Sequence, residues 1–261
     1  MSQQRFYTTQ LQAGLGLLDE TRQLLHVYQP GMTVSQLHDA ALASGRFPLV
    51  TARRLRNLVA ECFAPRYLRE PKVAQLLHLL LDRLTVAEHN QLLFIYTARA
   101  NLVLADFVRE VYWPRYSAGR NDLDLEDART FVVNSVREGK TQKPWSEITI
   151  KRISSYVMGC CADYGLLTTT GRNKRSIAAY RILPKVAAYL AYDLKFSGLG
   201  DNQIVGHSDW ALFGLESADV REQLKRMSLQ GLLIFQAASD VVHIGWNYKN
   251  MEELIDVIAQ G

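Results

Sequence analysis

Along most of the chain apolar residues return every three to four positions, the spacing that gathers them on one face of an α-helix. Residues 11–28 keep this period and stop at Pro30-Gly31; a second helix follows, capped by Thr33 or Ser35 and ending near Ser44-Gly45. Further helices are predicted over 51–62, before Pro65, over 72–84, and over 85–113. The last is apolar on more than one side, as a central bundle helix is, and closes at Pro114. The polar stretch 117–124 predicts a linker and a domain boundary.

Beyond that boundary the texture changes. Residues 124–138 form an amphipathic helix closed by Gly139, and Ser146 is placed to cap the next one. That helix carries Ile150, Ile153, Val157, Cys161 and Tyr164 on one face and ends at Gly165, the residue best suited to a left-handed cap. Two short apolar runs, 166–169 and 176–183, then flank a turn at 170–175 that holds Gly171 and Asn173, so a hairpin is expected. Helix, turn, helix, glycine, strand, basic turn, strand is the order of a winged helix-turn-helix.

The same grammar returns downstream. Residues 217–229 read as a helix, Gly231-Leu232-Leu233 repeats the Gly-Leu-Leu exit, 237–240 makes a turn, and 241–246 gives a second strand. A weak internal duplication and a chance recurrence of a common helix-glycine-strand joint are both open readings of this pair.

Charge separates the two units. The formal net charge of the 261 residues is only +4, yet residues 146–182 hold six cations against two acids and residues 46–72 hold seven against two. The second Gly-Leu-Leu unit, 215–245, holds three against four and is a poor partner for a polyanion. Concentrated cations suit contact with a phosphate backbone, because each phosphate neutralised releases condensed counterions. On winged-helix geometry Thr149, Lys151, Arg152 and Ser155 face the DNA groove, and Arg172, Lys174 and Arg175 form the wing tip. Arg53, Arg54 and Arg56 occupy three of four successive positions on a helix of a similar helix-turn-helix over 34–62, and at least two of them face solvent. The competing expectation is that these charges are simply solvated, or that the winged helices dock other proteins.

Other chemistry is not indicated. There is no Gly-rich phosphate loop, no zinc-spaced Cys/His set and no nucleophile elbow, so no catalytic residue, metal site or cofactor is expected. His207-Ser208-Asp209 reads as a loop or cap, Cys160-Cys161 reads as core packing, and three cysteines, Cys62 with these two, suit a reduced, cytoplasmic protein. The N-terminus lacks the charge-then-apolar order of a secretion signal. Glu88, Arg99, Asp106 and Arg109 interrupt the best membrane candidate, 85–113.

Taken together, LQAGLGLLDETRQLLHVYQPGMTVSQLHDAAL, the following TARRLRNLV, the mid-chain helices and the late YGLLTTTGRNKRSIAAYRI resemble the BrxA proteins of BREX bacteriophage-exclusion loci. The resemblance implies a mainly α protein in which a NusB-like helical bundle is combined with winged helix-turn-helix elements. It also implies binding to double-stranded DNA and action in phage restriction beside a methyltransferase, a large ATPase, a phosphatase-like protein and a Lon-like protease. The expected division is an N-terminal helical domain over 1–116, a winged-helix domain over 117–198 with its basic wing at 165–183, and a helix-plus-hairpin unit over 199–261. The expected function is non-enzymatic duplex binding directed at the backbone, because cations outnumber the Asn and Gln side chains placed to read bases. The alternative is a scaffold subunit that docks through its winged helices.

Overall fold

The computed structural model describes residues 5–70, 72–169, 174–238 and 241–260, with Lys174 described by its backbone alone. The chain is mainly helical with short antiparallel strands, and it divides into two compact units, residues 1–78 with 93–180, and residues 79–92 with 181–261.

In the first unit, α1 (Leu18–Val27), α2 (Val34–Ala43) and α3 (Ala52–Asn57) follow one another. Thr33 supplies the cap of α2: its hydroxyl accepts from the Gln36 N–H while the Gln36 side chain reaches back to the Thr33 backbone, a reciprocal capping box. The single helix expected over 11–28 is broken instead. A 3₁₀ turn (Gln10–Ala13) leads into Gly14-Leu15-Gly16-Leu17, and only then does α1 begin. The break has a cause in tertiary structure. Buried Arg66 donates to the carbonyls of Gly14 and Gly16, at 2.8 and 3.4 Å, and the Gly16 N–H donates to Asp163 at 2.9 Å. Bonds from side chains replace the helical ladder here, and glycine permits the close approach: a Cβ on Gly16 would lie 2.6 Å from that of Asp163.

Pro65 does not end the third helix. The chain continues from α3 as a wider, π-helical stretch (Leu58–Leu68) that carries Pro65 inside it and buries Leu58, Val59, Cys62, Phe63 and Tyr67. The wider winding tolerates the missing N–H, and the apolar face holds the segment against the core. After α4 (Val73–Leu80), the long helix expected over 85–113 is two: α5 (Val86–Ala100) and α6 (Leu102–Phe107), which runs through a π-helical turn (Val108–Tyr112) into α7 (Trp113–Ser117). The direction turns by 111° at Asn101, which leaves helical geometry and donates its side-chain amide to the Thr97 carbonyl. Pro114 sits at the junction of the π-helical turn and the first turn of α7 and does not terminate the run, which continues to Ser117. Among the described residues no single helix is long and apolar enough to cross a membrane, although the bent pair passes by length and composition.

The polar stretch expected to be a linker contains a strand, β1 (Asp122–Asp124), which leads into α8 (Leu125–Arg137). After α9 (Glu147–Asp163) come β2 (Leu167–Thr169) and β3 (Lys174–Ile177), and the three strands pair antiparallel in the order β1-β3-β2. β3 stops at Ile177, well before the expected Leu183. Past the hairpin base the chain turns inward to bury Tyr180 edge-on against Phe94.

In the second unit, α10 (Pro184–Phe196) is buried along Val186 to Tyr192, with α11 (Asp201–Val205), a 3₁₀ turn (Trp210–Phe213) and α12 (Ser217–Leu229) after it. The hairpin β4 (Leu233–Ala238) with β5 (Val241–Trp246), and α13 (Met251–Ile258), complete it. His207 and Asp209 lie in the loop before the 3₁₀ turn, where the Asp209 N–H donates to the His207 ring at 3.3 Å. Gln91 explains why 79–92 belongs here: its amide donates to the Arg181 carbonyl and accepts from the Leu183 N–H.

Both hairpins leave their helices in the same way. Gly165 and Gly231 have φ of 82° and 72°, and each following leucine, Leu166 or Leu232, donates back to the helix five residues earlier. A buried tyrosine hydroxyl then seals each hairpin base. Tyr112 donates its one hydroxyl proton to the Ala178 carbonyl at 2.6 Å, with the Leu166 carbonyl 3.0 Å away; Tyr192 donates to Leu232 at 2.5 Å and accepts from the Asn247 N–H at 3.2 Å.

Candidate nucleic-acid interface

α9 is fixed at both ends and along one face. The Ser146 hydroxyl accepts from the Thr149 N–H and lies 3.0 Å from the Thr149 hydroxyl, so Thr149 is committed to the cap and half-buried. Ile150, Ile153, Val157 and Cys161 face the core as their spacing requires. The opposite stripe exposes Ile148, Lys151, Arg152 and Ser155, which with Tyr156 border a concavity of about 410 Å³. Neither Lys151 nor Arg152 has an acidic partner within ion-pair distance among the described residues.

In the hairpin, Arg175 is the expected wing-tip cation whose side chain is described. Arg175 is half-buried and donates to the Met158 carbonyl of α9 at 2.6 Å, which draws its guanidinium back onto the helix. Arg172 and the side chain of Lys174 lie outside the described residues.

On α3, Arg53, Arg54 and Arg56 are all exposed. Arg54 also donates to the Ala13 carbonyl at 2.8 Å and lines, with Tyr156 and Asp163 of α9, a groove of about 540 Å³ whose other charges are Asp19 and Glu20. The structure therefore brings Arg54 to the same side as α9. Arg66, which swells the charge count of 46–72, is buried among backbone carbonyls and adds nothing to the surface.

What pattern reading missed is the acidic neighbourhood of the α9 N-terminus. The cleft between α8 and α9, about 560 Å³, is lined by Asp124, Glu126 and Glu147 against Arg129 and Lys151. Arg129 bridges Glu147 at 3.0 Å and Glu126 at 3.8 Å, while Ile148 is 66% exposed and Leu125 40%. Counting charge by segment hid this, because Asp124 and Glu126 lie outside 146–182 and reach α9 only through the fold.

The three cysteines are free thiols and buried. Burial pushes the Cys160 thiol up to about 12, and burial likewise raises Cys62 and Cys161. Among the described residues no group of three or more His, Cys, Asp or Glu is placed to hold a metal ion.

No curated protein matches the chain. The crystal structure of an uncharacterized protein from Magnetospirillum magneticum is similar in fold, with a TM-score of 0.59 at 16% identity over 73% of this chain and 94% of that one. The family model of BrxA matches residues 5–193, well over half of the length. The chain therefore belongs to the BrxA family, which ties it to the BREX systems of phage defence.

Proposed function

We propose that this protein is a non-enzymatic, double-stranded DNA-binding accessory of a BREX system, with α8, α9 and the β2–β3 hairpin acting as a winged helix. The observation that carries the reading is the exposed stripe of α9, where Lys151 and Arg152 stand beside Ser155 without an ion-pair partner among the described residues. Arg53, Arg54 and Arg56 extend the cationic surface, and Arg172 and Lys174 remain its expected wing contacts. Arg175 and Thr149 brace the module rather than read DNA. Binding is directed mainly at phosphates, so affinity falls steeply with salt. A labelled duplex titrated at several salt concentrations tests this: Lys151→Ala/Arg152→Ala lowers the slope of log K against log salt by about 1.8, at about 0.9 for each phosphate no longer neutralised. An unchanged slope, or no duplex binding at low salt, defeats the reading.

One observation favours a second reading. The α8/α9 cleft, with its balanced charges and exposed Ile148 and Leu125, suits a protein partner better than a polyanion. On that reading the module docks another BREX component, the methyltransferase, ATPase, phosphatase-like protein or Lon-like protease. Ile148→Asp then abolishes co-purification with the partner and leaves duplex affinity in place.

A further inference from the structure

The second unit holds a cavity of a different character. Its volume is about 310 Å³, and α12 lines it with Gln223, Arg226, Met227 and Gln230, residues that share one face of a helix. Arg181, exposed in the segment entering α10, lines it too, and its apolar lining includes the buried Phe213 of the 3₁₀ turn and the buried Met227. Among the described residues no acid lines it, a feature it shares with the concavity beside Lys151 and Arg152 but not with the two larger ones of the first unit, which carry Asp124, Glu126 and Glu147, or Asp19, Glu20 and Asp163. The acids of α12 are engaged elsewhere: Asp219 accepts from the Glu216 N–H at the helix start, and Glu222 pairs with Lys225. Arg181 and Arg226 have no ion-pair partner among the described residues.

Each lining type answers one part of a nucleotide. Arginine guanidinium groups bind phosphate through paired, charge-assisted hydrogen bonds. Glutamine amides present a donor and an acceptor side by side, as the edge of a nucleobase does. An apolar, partly aromatic lining accepts the face of a base, whichever base it is. The volume lies at the lower end of the range for small-molecule sites, about 300–1,000 Å³, enough for one nucleotide and not for a stacked pair.

We propose that this cavity binds a single nucleotide, base against Phe213 and Met227 and phosphate between Arg181 and Arg226, supplied either free or as an unpaired nucleotide of a strand. The site is independent of the duplex-binding reading, since it uses neither α9 nor α3.

Isothermal titration of the full chain tests it, with adenosine 5′-monophosphate, adenosine, inorganic phosphate and a short single-stranded oligoadenylate as probes. Arg181→Gln and Arg226→Gln are the variants, both at exposed side chains, with circular dichroism to confirm folding. Saturable binding of the monophosphate, weakened about tenfold or more in each variant, establishes the site for a free nucleotide. Binding of the oligonucleotide alone, with the same sensitivity to both variants, assigns it to a strand. The proposal is overturned if neither the monophosphate nor the oligonucleotide binds at millimolar concentration, if the two variants bind as tightly as the parent, or if inorganic phosphate or adenosine alone binds as well as the nucleotide.

Discussion

The two tyrosine seals differ in what their removal leaves behind, and that difference fixes a prediction. Tyr112 and Tyr192 are both fully buried, so phenylalanine fills either site without a cavity and only the hydroxyl is lost. In Tyr112→Phe the Leu166 carbonyl keeps its bond from the Ala178 N–H, and the Ala178 carbonyl, at a half-buried position, loses a donor. In Tyr192→Phe the buried Leu232 carbonyl loses its donor and the Asn247 N–H its acceptor, the latter at an exposed residue where water substitutes in part. A buried polar group left unpaired costs about 1–3 kcal/mol, so the loss is about 1 kcal/mol for Tyr112→Phe and about 2–3 kcal/mol for Tyr192→Phe. The cost falls on the hairpin base, where local opening sets amide exchange. Hydrogen exchange read by mass spectrometry therefore speeds up about thirtyfold or more across 232–247 in Tyr192→Phe, and about fivefold across 166–178 in Tyr112→Phe. Equal effects at the two hairpins, or a larger effect at Tyr112, would show that these hydroxyls do not seal the bases.

Other perturbations follow from the same structure. Gly16→Ala forces a Cβ to within 2.6 Å of that of Asp163, so the melting temperature falls with a loss of about 1–3 kcal/mol from overpacking. Arg175→Met removes the donor to the Met158 carbonyl and costs about 1–2 kcal/mol in urea titration. The same variant leaves the salt slope of duplex binding where it was; a slope lowered by about 0.9 would instead put that guanidinium on a phosphate. The buried thiols keep their protons in the folded chain while those of the unfolded chain ionise near 9.0, so the unfolded state binds fewer protons as pH rises. Stability present below pH 9 is therefore lost progressively towards about 12, the value of Cys160, and faster in the parent than in Cys160→Ala. Iodoacetamide at pH 8 should leave Cys62, Cys160 and Cys161 unlabelled until denaturant is added.

What could be read from the sequence is what local chemistry decides. Thr33, Ser146, Gly165 and Gly231 each set a helix end through bonds made within a few residues, and the structure puts the ends there. The misreadings share a cause. Gly14 to Leu17 lost its helix to Arg66 and Asp163, residues 50 and more positions away. The run through Pro65 keeps winding because its apolar face is held by the core, and the strand at Asp122 exists only because β3 arrives beside it, Ser176 opposite Asp122. Helical periodicity alone carries no account of such partners, and a dominant period of 3.6 conceals a three-residue strand or a one-residue break.

The candidate interface shows the same limit in electrostatic form. A count along the chain treats every cation as a surface charge, yet Arg66 lies inside the fold and Arg175 is turned onto a carbonyl of the neighbouring helix α9. Conversely, the acids that face the start of α9 come from α8 and from the strand before it, so no window centred on α9 includes them. Lys151 and Arg152 survive this sorting on the exposed side of α9: Glu147, one turn before Lys151 on the same face, is bridged to Arg129 instead, and among the described residues no acid lies within ion-pair distance of either cation. The same sorting raises Arg226 in the second unit. Its segment is close to neutral by count, but the acids of α12 are bound to its own cap and to Lys225, which leaves the arginine lining a cavity that no acid among the described residues lines. Local pairing, rather than the net charge of a segment, decides which cations are available to a ligand.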